Sequence, residues 1–271
     1  MRNTKSKLLQ KQAFKCKPLK RKAINDFGTK KILKFGKSAK NQPENWIKVY
    51  KNIAQMRING CAAEADVDIE GCSSTFDKTE SRKVQRFQIL VSLMLSSQTK
   101  DSITAQAMSN LKRNLENGLN LESVLGSDVL RIEKEISKVG FYKKKAMYIK
   151  EAAERIKTDF SGDIPKNVED LCSLKGVGEK MAYLAMQVAW NKVVGIGVDV
   201  HVNRISNRLG WSNKKHPNKT RKELEKWLPF ELWGHINHLL VGFGQKVCFA
   251  KKPNCHLCTV KDLCTLGKNI K

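Results

Sequence analysis

Leu174-Lys175-Gly176-Val177-Gly178-Glu179-Lys180 is the stretch on which the fold turns. Before it, Val168, Leu171 and Leu174 recur at helical spacing; after it, Met181, Leu184, Ala185 and Val188 do the same. Two short helices are predicted, over about residues 167–190, joined by a Gly-x-Gly turn whose glycines permit positive φ and close backbone approach. The second helix begins with N–H groups that have no partner inside the helix, a setting that suits a phosphate oxygen. A helix–hairpin–helix of this kind grips a nucleic-acid backbone without reading bases. Taken alone, the pattern equally fits two ordinary helices with glycine at the bend.

Outward from this turn the chain reads as helical. Trp46, Ile47, Val49, Tyr50 and Ile53 form one stripe. Phe87, Leu90, Val91, Met94 and Leu95 form another, followed by Ala105, Met108 and Leu111, then Ile132, Ile136 and Val139 ended by Gly140, then a helix over Tyr142 to Ile156. Alternating strand-like segments are rare, so an all-α fold is expected. The polar, acidic stretch from Cys61 to Thr79 reads as a connection. The longest apolar run, Ile89 to Leu95, is interrupted by Ser92 and falls far short of the roughly 18 residues that span a bilayer.

Net charge points to a polyanionic partner. The 271 residues carry 51 Lys/Arg against 26 Asp/Glu, a net +25. Residues 1–43 hold 14 Lys/Arg and one acid, and taking their +13 from the total leaves +12 for the rest. The folded part is therefore basic too, as nucleic-acid binders are. The first 43 residues are Lys-rich and without sustained periodicity, and are expected to be a disordered tail. Within them, Lys17-Pro18-Leu19-Lys20-Arg21-Lys22 has the make-up of a nuclear-import patch. The first 25 residues contain no acid, which permits a mitochondrial presequence, although Lys outnumbers Arg. A nuclear address is expected, with the mitochondrion as a second one.

Lys180 falls in the first turn of the second hairpin helix, beside Tyr183 and Gln187 rather than on the apolar stripe. A nucleophilic amine must be neutral, and the positive end of a helix dipole works in that direction. A phosphate contact is the ordinary alternative for such a lysine. Asp199, in Gly197-Val198-Asp199-Val200-His201, precedes a helix expected from about Val200 to Leu209. It can cap that helix, and a capping carboxylate is held rigidly enough to move protons for the lysine as well.

Four of the eight cysteines crowd into the last part of the chain. Cys248, Cys255, Cys258 and Cys264 form C-x6-C-x2-C-x5-C. No apolar secretory segment opens the chain, so these are read as metal ligands rather than disulfides. The spacing admits zinc or a [4Fe–4S] cluster. Cys16, Cys61, Cys72 and Cys172 are scattered and read as ordinary thiols.

These features together resemble the endonuclease III family of DNA glycosylase/lyases. The resemblance runs from about Pro43 to the C-terminus. It is carried by the hairpin, the four cysteines, Leu95-Ser96-Ser97-Gln98-Thr99-Lys100-Asp101, Val139-Gly140-Phe141, Gly162-Asp163-Ile164-Pro165, Val198-Asp199-Val200-His201-Val202 and Leu239-Leu240-Val241-Gly242-Phe243-Gly244. It implies a helix–hairpin–helix glycosylase fold: a six-helix domain at 81–192, and a cluster domain at 193–271 joined by the N-terminal helix and connection of 44–80. A [4Fe–4S] cluster on Cys248, Cys255, Cys258 and Cys264 is implied as cofactor. Lys180 matches the family's nucleophile and Asp199 its catalytic aspartate. Gln98 matches the residue that fills the gap left by an extruded base, and Phe141 the wedge near the opposite strand. Gly176, Val177 and Gly178 match the hairpin that holds the DNA backbone. Two departures stand out: Lys175 replaces a proline usual before the hairpin, and Val200 a threonine usual after the aspartate.

The implied activity is bifunctional: excision of oxidised or ring-saturated pyrimidines through a lysine Schiff base, then cleavage 3′ of the abasic site by β-elimination. The expected partner is double-stranded DNA bearing such damage, bound by a monomer. An adenine-mismatch glycosylase of the same superfamily is one alternative, opposed by Lys180 at the nucleophile position. A non-catalytic DNA-binding module is the other; it would retain an abasic oligonucleotide without cutting it. Several phosphate contacts should make log affinity fall steeply with log salt concentration. Deleting residues 1–43 is expected to weaken non-specific binding while leaving abasic-site cleavage intact, as filter binding and strand-scission assays at matched salt would report.

Overall fold

A computed structural model of the chain describes residues 27–29 and 42–269. Lys17–Lys22, Cys16 and most of the basic tail lie outside the described residues. Among the described residues every regular element is a helix and no strand occurs, so the all-α expectation holds. No described helix is long and apolar enough to cross a membrane.

Helix α1 (Trp46–Asn59) buries the expected stripe of Trp46, Val49, Tyr50 and Ile53. The connection after it is more ordered than its polar sequence suggests and contains a short helix, α2 (Asp66–Glu70). Helix α3 (Arg82–Ser96) is started by Ser81, whose hydroxyl accepts from the Val84 N–H at 3.4 Å. Helix α4 (Asp101–Asn114) turns Thr104, Ala107, Met108 and Leu111 inward, leaving Ala105 only half-buried. Next come α5 (Leu121–Gly126) and α6 (Val129–Glu135), separated by just Ser127 and Asp128. Helix α7 (Tyr142–Asp159) follows, and then the hairpin pair, α8 (Val168–Ser173) and α9 (Glu179–Ala189). Seven separate helices, α3 to α9, thus occupy the span expected to hold six. Helices α10 (Val200–Arg208), α11 (Pro217–Trp227) and α12 (Trp233–Lys246) complete the chain, with short 3-10 turns through the cysteine segment.

Buried apolar side chains fall into two clusters. The first draws on residues from Phe87 to Met186. The second joins α1 to the segment from Ile196 to Val260. The chain thus begins the second core, leaves to build the first, and returns to finish the second. Helix α9 packs on α3 within the first core, while α12 packs on α1 and α2 in the second.

The tail expectation needs correction at Phe27. This side chain is 2% exposed and belongs to the second core. Its carbonyl accepts from the Tyr50 hydroxyl at 2.8 Å, and its ring meets His238 edge-on. One aromatic among many lysines found an apolar slot that average composition conceals. A truncation meant to test the basic tail must therefore stop short of Phe27.

Arg57 closes the second core. Its side chain is fully buried, and its guanidinium makes a two-pronged pair with Asp68 at 2.8 and 2.5 Å. It also donates to the Ala62 carbonyl at 2.7 Å and lies 5.3 Å from the Phe27 ring centre. His238 Nε2 approaches Asp68 Oδ1 at 2.6 Å. Burial by itself raises the Asp68 carboxyl, but hydrogen bonds from His238 and Arg57 outweigh it and hold the group well below the usual carboxylate range. The stabilisation this brings is complete above the unfolded carboxylate value of about 3.9 and fades as pH falls toward the depressed folded value. Asp68→Asn leaves the guanidinium buried without its counter-ion, at an expected cost of about 3–5 kcal/mol. Denaturant unfolding at neutral pH checks this; a loss below about 1 kcal/mol would show the pair to be dispensable.

Candidate active site

Of the two hairpin glycines only Gly176 takes the positive φ and close approach expected of both; Gly178 is extended, with φ −98 and open space where a Cβ would stand. Gly176 has φ +82, and a Cβ there would stand 2.7 Å from the Tyr148 ring. The Val177 side chain is 6% exposed in the first core, and its N–H donates to the Leu174 carbonyl at 3.1 Å. Val177 anchors the turn from beneath, so the outward surface is Gly176, Gly178 and the start of α9. No side chain caps that helix, and its first-turn N–H groups have no partner within the helix. Lys175 pairs with Glu151 at 2.9 Å.

Lys180 and Asp199, 19 residues apart in sequence, come together. Lys180 Nζ lies 3.8 Å from Asp199 Oδ2. The other carboxylate oxygen accepts from the Val202 N–H at 2.8 Å and so caps α10. Capping and facing the lysine therefore coexist, one oxygen for each.

The approach is set by the backbone between them. A Cβ at Gly195 would lie 2.4 Å from the Tyr183 ring, and one at Gly197 2.9 Å from the Leu184 side chain. Only a bare backbone lies this flat on α9. The Ile196 N–H donates to Glu225 at 2.9 Å and Asn237 donates to the Gly197 carbonyl at 2.6 Å, which fixes the strap from its far side. The polar face of α9 thus looks toward the second core rather than open solvent. Gln187 donates to the Gly234 carbonyl at 2.7 Å, and Arg221 stacks 4.8 Å from the Tyr183 ring centre.

Sequence reasoning missed other groups within electrostatic reach of Lys180. Asp101, at the first position of α4, accepts from Gln245 of α12 at 2.8 Å. Burial raises its pKa, opposed by Gln245 and Lys180. Burial lowers that of His201, opposed by Asp199. Burial pushes the Cys72 thiol up to about 11, opposed by Lys180. Asp101 stood in a quoted motif, but nothing local said that α12 would reach it.

Gln98 and Phe141 are exposed and both take positive φ, +50 and +58. Each stands at a helix boundary, Gln98 between α3 and α4 and Phe141 at the start of α7.

Cys248, Cys255, Cys258 and Cys264 line one hollow together with Leu209, Phe243, Val247 and Val260. Arg208 donates to Cys248 Sγ at 3.2 Å and to the carbonyls of Phe249 and Ala250. Burial, and then repulsion by the neighbouring thiols, raises Cys258 to about 11, and burial raises Cys255. Among the described residues no three or more His, Cys, Asp or Glu close in on a common ion position. The donor set nonetheless suits a soft, positively charged group: four sulfurs around an apolar hollow need a cation to be thiolates together.

Residues 91–230 match the HhH-GPD superfamily of base excision DNA repair proteins. An endonuclease III homologue of Schizosaccharomyces pombe is 49% identical over 224 residues, covering 82% of this chain but 62% of that protein. Endonuclease III-like protein 1 of Mus musculus is 46% identical over 231 residues, covering 84% of this chain and 75% of that protein. Among solved structures, a non-covalent endonuclease III–DNA complex superposes with TM-score 0.67 at 26% identity, covering 81% of this chain and 93% of that one. A trapped endonuclease III–DNA covalent intermediate superposes with TM-score 0.63 at 27% identity, covering 80% and 97%. On a shared fold, a shared hairpin and identity of this extent, the chain belongs to the endonuclease III family of the HhH-GPD superfamily.

Proposed function

We propose that this protein is a DNA glycosylase of base excision repair that also acts as an abasic-site lyase, with Lys180 as its nucleophile. The observation that carries the reading is the Lys180–Asp199 pair: an amine 3.8 Å from a carboxylate whose second oxygen is tied into a helix cap. A rigidly held carboxylate beside an amine is what a proton-shuttling nucleophile requires. Family membership supports it, and so does the Schiff-base chemistry that a lysine makes available.

Binding begins with basic surface and hairpin amides on phosphates. The damaged nucleotide turns out of the stack at a cost of a few kcal/mol, less when the base is already poorly stacked. Gln98 fills the gap, and Phe141 contacts the opposite strand. The neutral amine of Lys180 attacks C1′ as the bond from C1′ to the base breaks, and its electron pair leaves with the base. Asp199 relays the amine's proton and stabilises positive charge on the sugar. Opening of the sugar ring gives a Schiff base, which acidifies the C2′ proton. Loss of that proton breaks the C3′–O bond, and water then releases the lysine from the imine. Oxidised or ring-saturated pyrimidines in duplex DNA are the proposed substrates, and the nucleus is the proposed site of action.

Cys248, Cys255, Cys258 and Cys264 would hold a [4Fe–4S] cluster. Four cysteine sulfurs lining one apolar hollow would supply the thiolate donors that such a cluster takes. When bound, the cluster supplies folding free energy and shapes the loop between Cys248 and Cys255, where Lys251 and Lys252 are exposed.

Substitutions and metal analysis check these assignments. Lys180→Gln should keep DNA binding yet form no borohydride-trapped adduct on an abasic duplex. Asp199→Asn should lower base excision by about 100-fold or more while some trapping persists, because the amine remains. A wild-type level of adduct with Lys180→Gln would mean that another amine is the nucleophile. For the cluster, purified protein should be yellow-brown with about four irons per chain. Cys255→Ala should lose iron, stability and DNA affinity together. Colourless protein holding one zinc would overturn the cluster assignment.

A further inference from the structure

A buried lysine that takes no part in the chemistry above holds the turn between α3 and α4. Lys145, in the first turn of α7, is 6% exposed. Its Nζ donates to the Leu95 carbonyl at 2.7 Å, the Ser97 carbonyl at 2.6 Å and the Thr99 hydroxyl at 3.2 Å. An ammonium has three N–H donors, and all three go to one stretch of five residues. None of the three acceptors carries a charge, and burial lowers the Lys145 pKa to about 8. A hydrophobic side chain would suit the inner face of α7 better, since Lys145 stands in line with the buried Ile149, Ala152 and Ile156.

What this lysine holds is a pair of strained bends. Gln98 and Phe141 are both in the left-handed region, uncommon for residues other than glycine. Such strain persists only where surrounding contacts over-determine it. The two bends touch. The Gly140 N–H donates to the Thr99 hydroxyl at 3.3 Å, and a Cβ on Gly140 would stand 2.8 Å from the Gln98 carbonyl oxygen. The Lys145 side chain fastens the residues on either side of Gln98, and through the Thr99 hydroxyl, which also accepts from the Gly140 N–H, it is joined to the Phe141 bend.

We propose that Lys145 is a positioning residue for base extrusion, locking Gln98 and Phe141 into one rigid two-pronged wedge that enters the duplex. This rests on the glycosylase and lyase reading above. The wedge matters while a stacked base is being displaced and much less at a pre-formed abasic site, where no base remains to be moved.

The test uses the full chain and two duplexes, one with a ring-saturated pyrimidine and one with a pre-formed abasic site. Lys145→Met should slow base excision by about 10- to 100-fold, the scale of a misplaced substrate-handling group. Cleavage at the abasic site should stay within about threefold of wild type, well outside that scale. Adding Gln98→Ala should bring less than a multiplicative further loss, because the lysine acts through Gln98. If Lys145→Met does not fold, Lys145→Gln keeps part of the donor set and carries the same comparison. Equal losses on both duplexes, or fully multiplicative effects with Gln98→Ala, would overturn the assignment. A wild-type protein that cuts neither duplex would instead sink the glycosylase and lyase reading on which it rests.

Discussion

A guanidinium without access to solvent organises the half of the molecule that the chain builds first and completes last. Arg57 lies in the last turn of α1, reaches Asp68 in the following connection, lies over Phe27 from the tail, and crosses α12 so closely that a Cβ at Gly242 would overlap its guanidinium. Four segments meet around one charge. A buried charge must be paired and hydrogen-bonded or it opposes folding, so all four have to arrive together. This makes the second core a cooperative assembly of chain segments nearly 200 residues apart in sequence.

That assembly is what presents Asp199 to Lys180. The lysine comes from the first core, through α9; the aspartate comes at the entrance to the second, through α10. Between them runs a strap without side chains at Gly195 and Gly197, pressed on α9 and fastened by Glu225 and Asn237. The Gln245 side chain ties Asp101 of α4 to α12, and its Oε1 accepts from the Val67 N–H. The lysine therefore faces a wall made by both cores. Electrostatic preorganisation of this type depends on groups that are already in place before substrate arrives.

Much of this was legible from sequence because it is governed by short-range rules. Helical periodicity gave away α1, α3, α7 and α9, and the Gly-x-Gly turn gave away the hairpin. The capping role of Asp199 followed from a carboxylate just ahead of a helical stretch. Elsewhere local rules misled. Val177 looked like part of the phosphate-facing turn, but its side chain filled the core and its N–H found Leu174. Lys145 breaks the apolar stripe of α7, and nothing local says what it reaches. Phe27 was concealed by the basic residues around it, and the 61–79 stretch read as a mere connection although one of its acids answers Arg57.

The sequence by itself determined most of the longer helices, the hairpin, the basic charge and the four-cysteine set, since each depends on residues within a turn or two of one another or on composition. Only the tertiary structure decided which of 51 Lys and Arg residues are buried and what they hold. Arg57 and Lys145 are set apart by acceptors supplied from distant segments, and Lys180 by a carboxylate delivered on another helix. Charge placement is a property of the enclosure around a group, and that enclosure exists only once the two cores have packed.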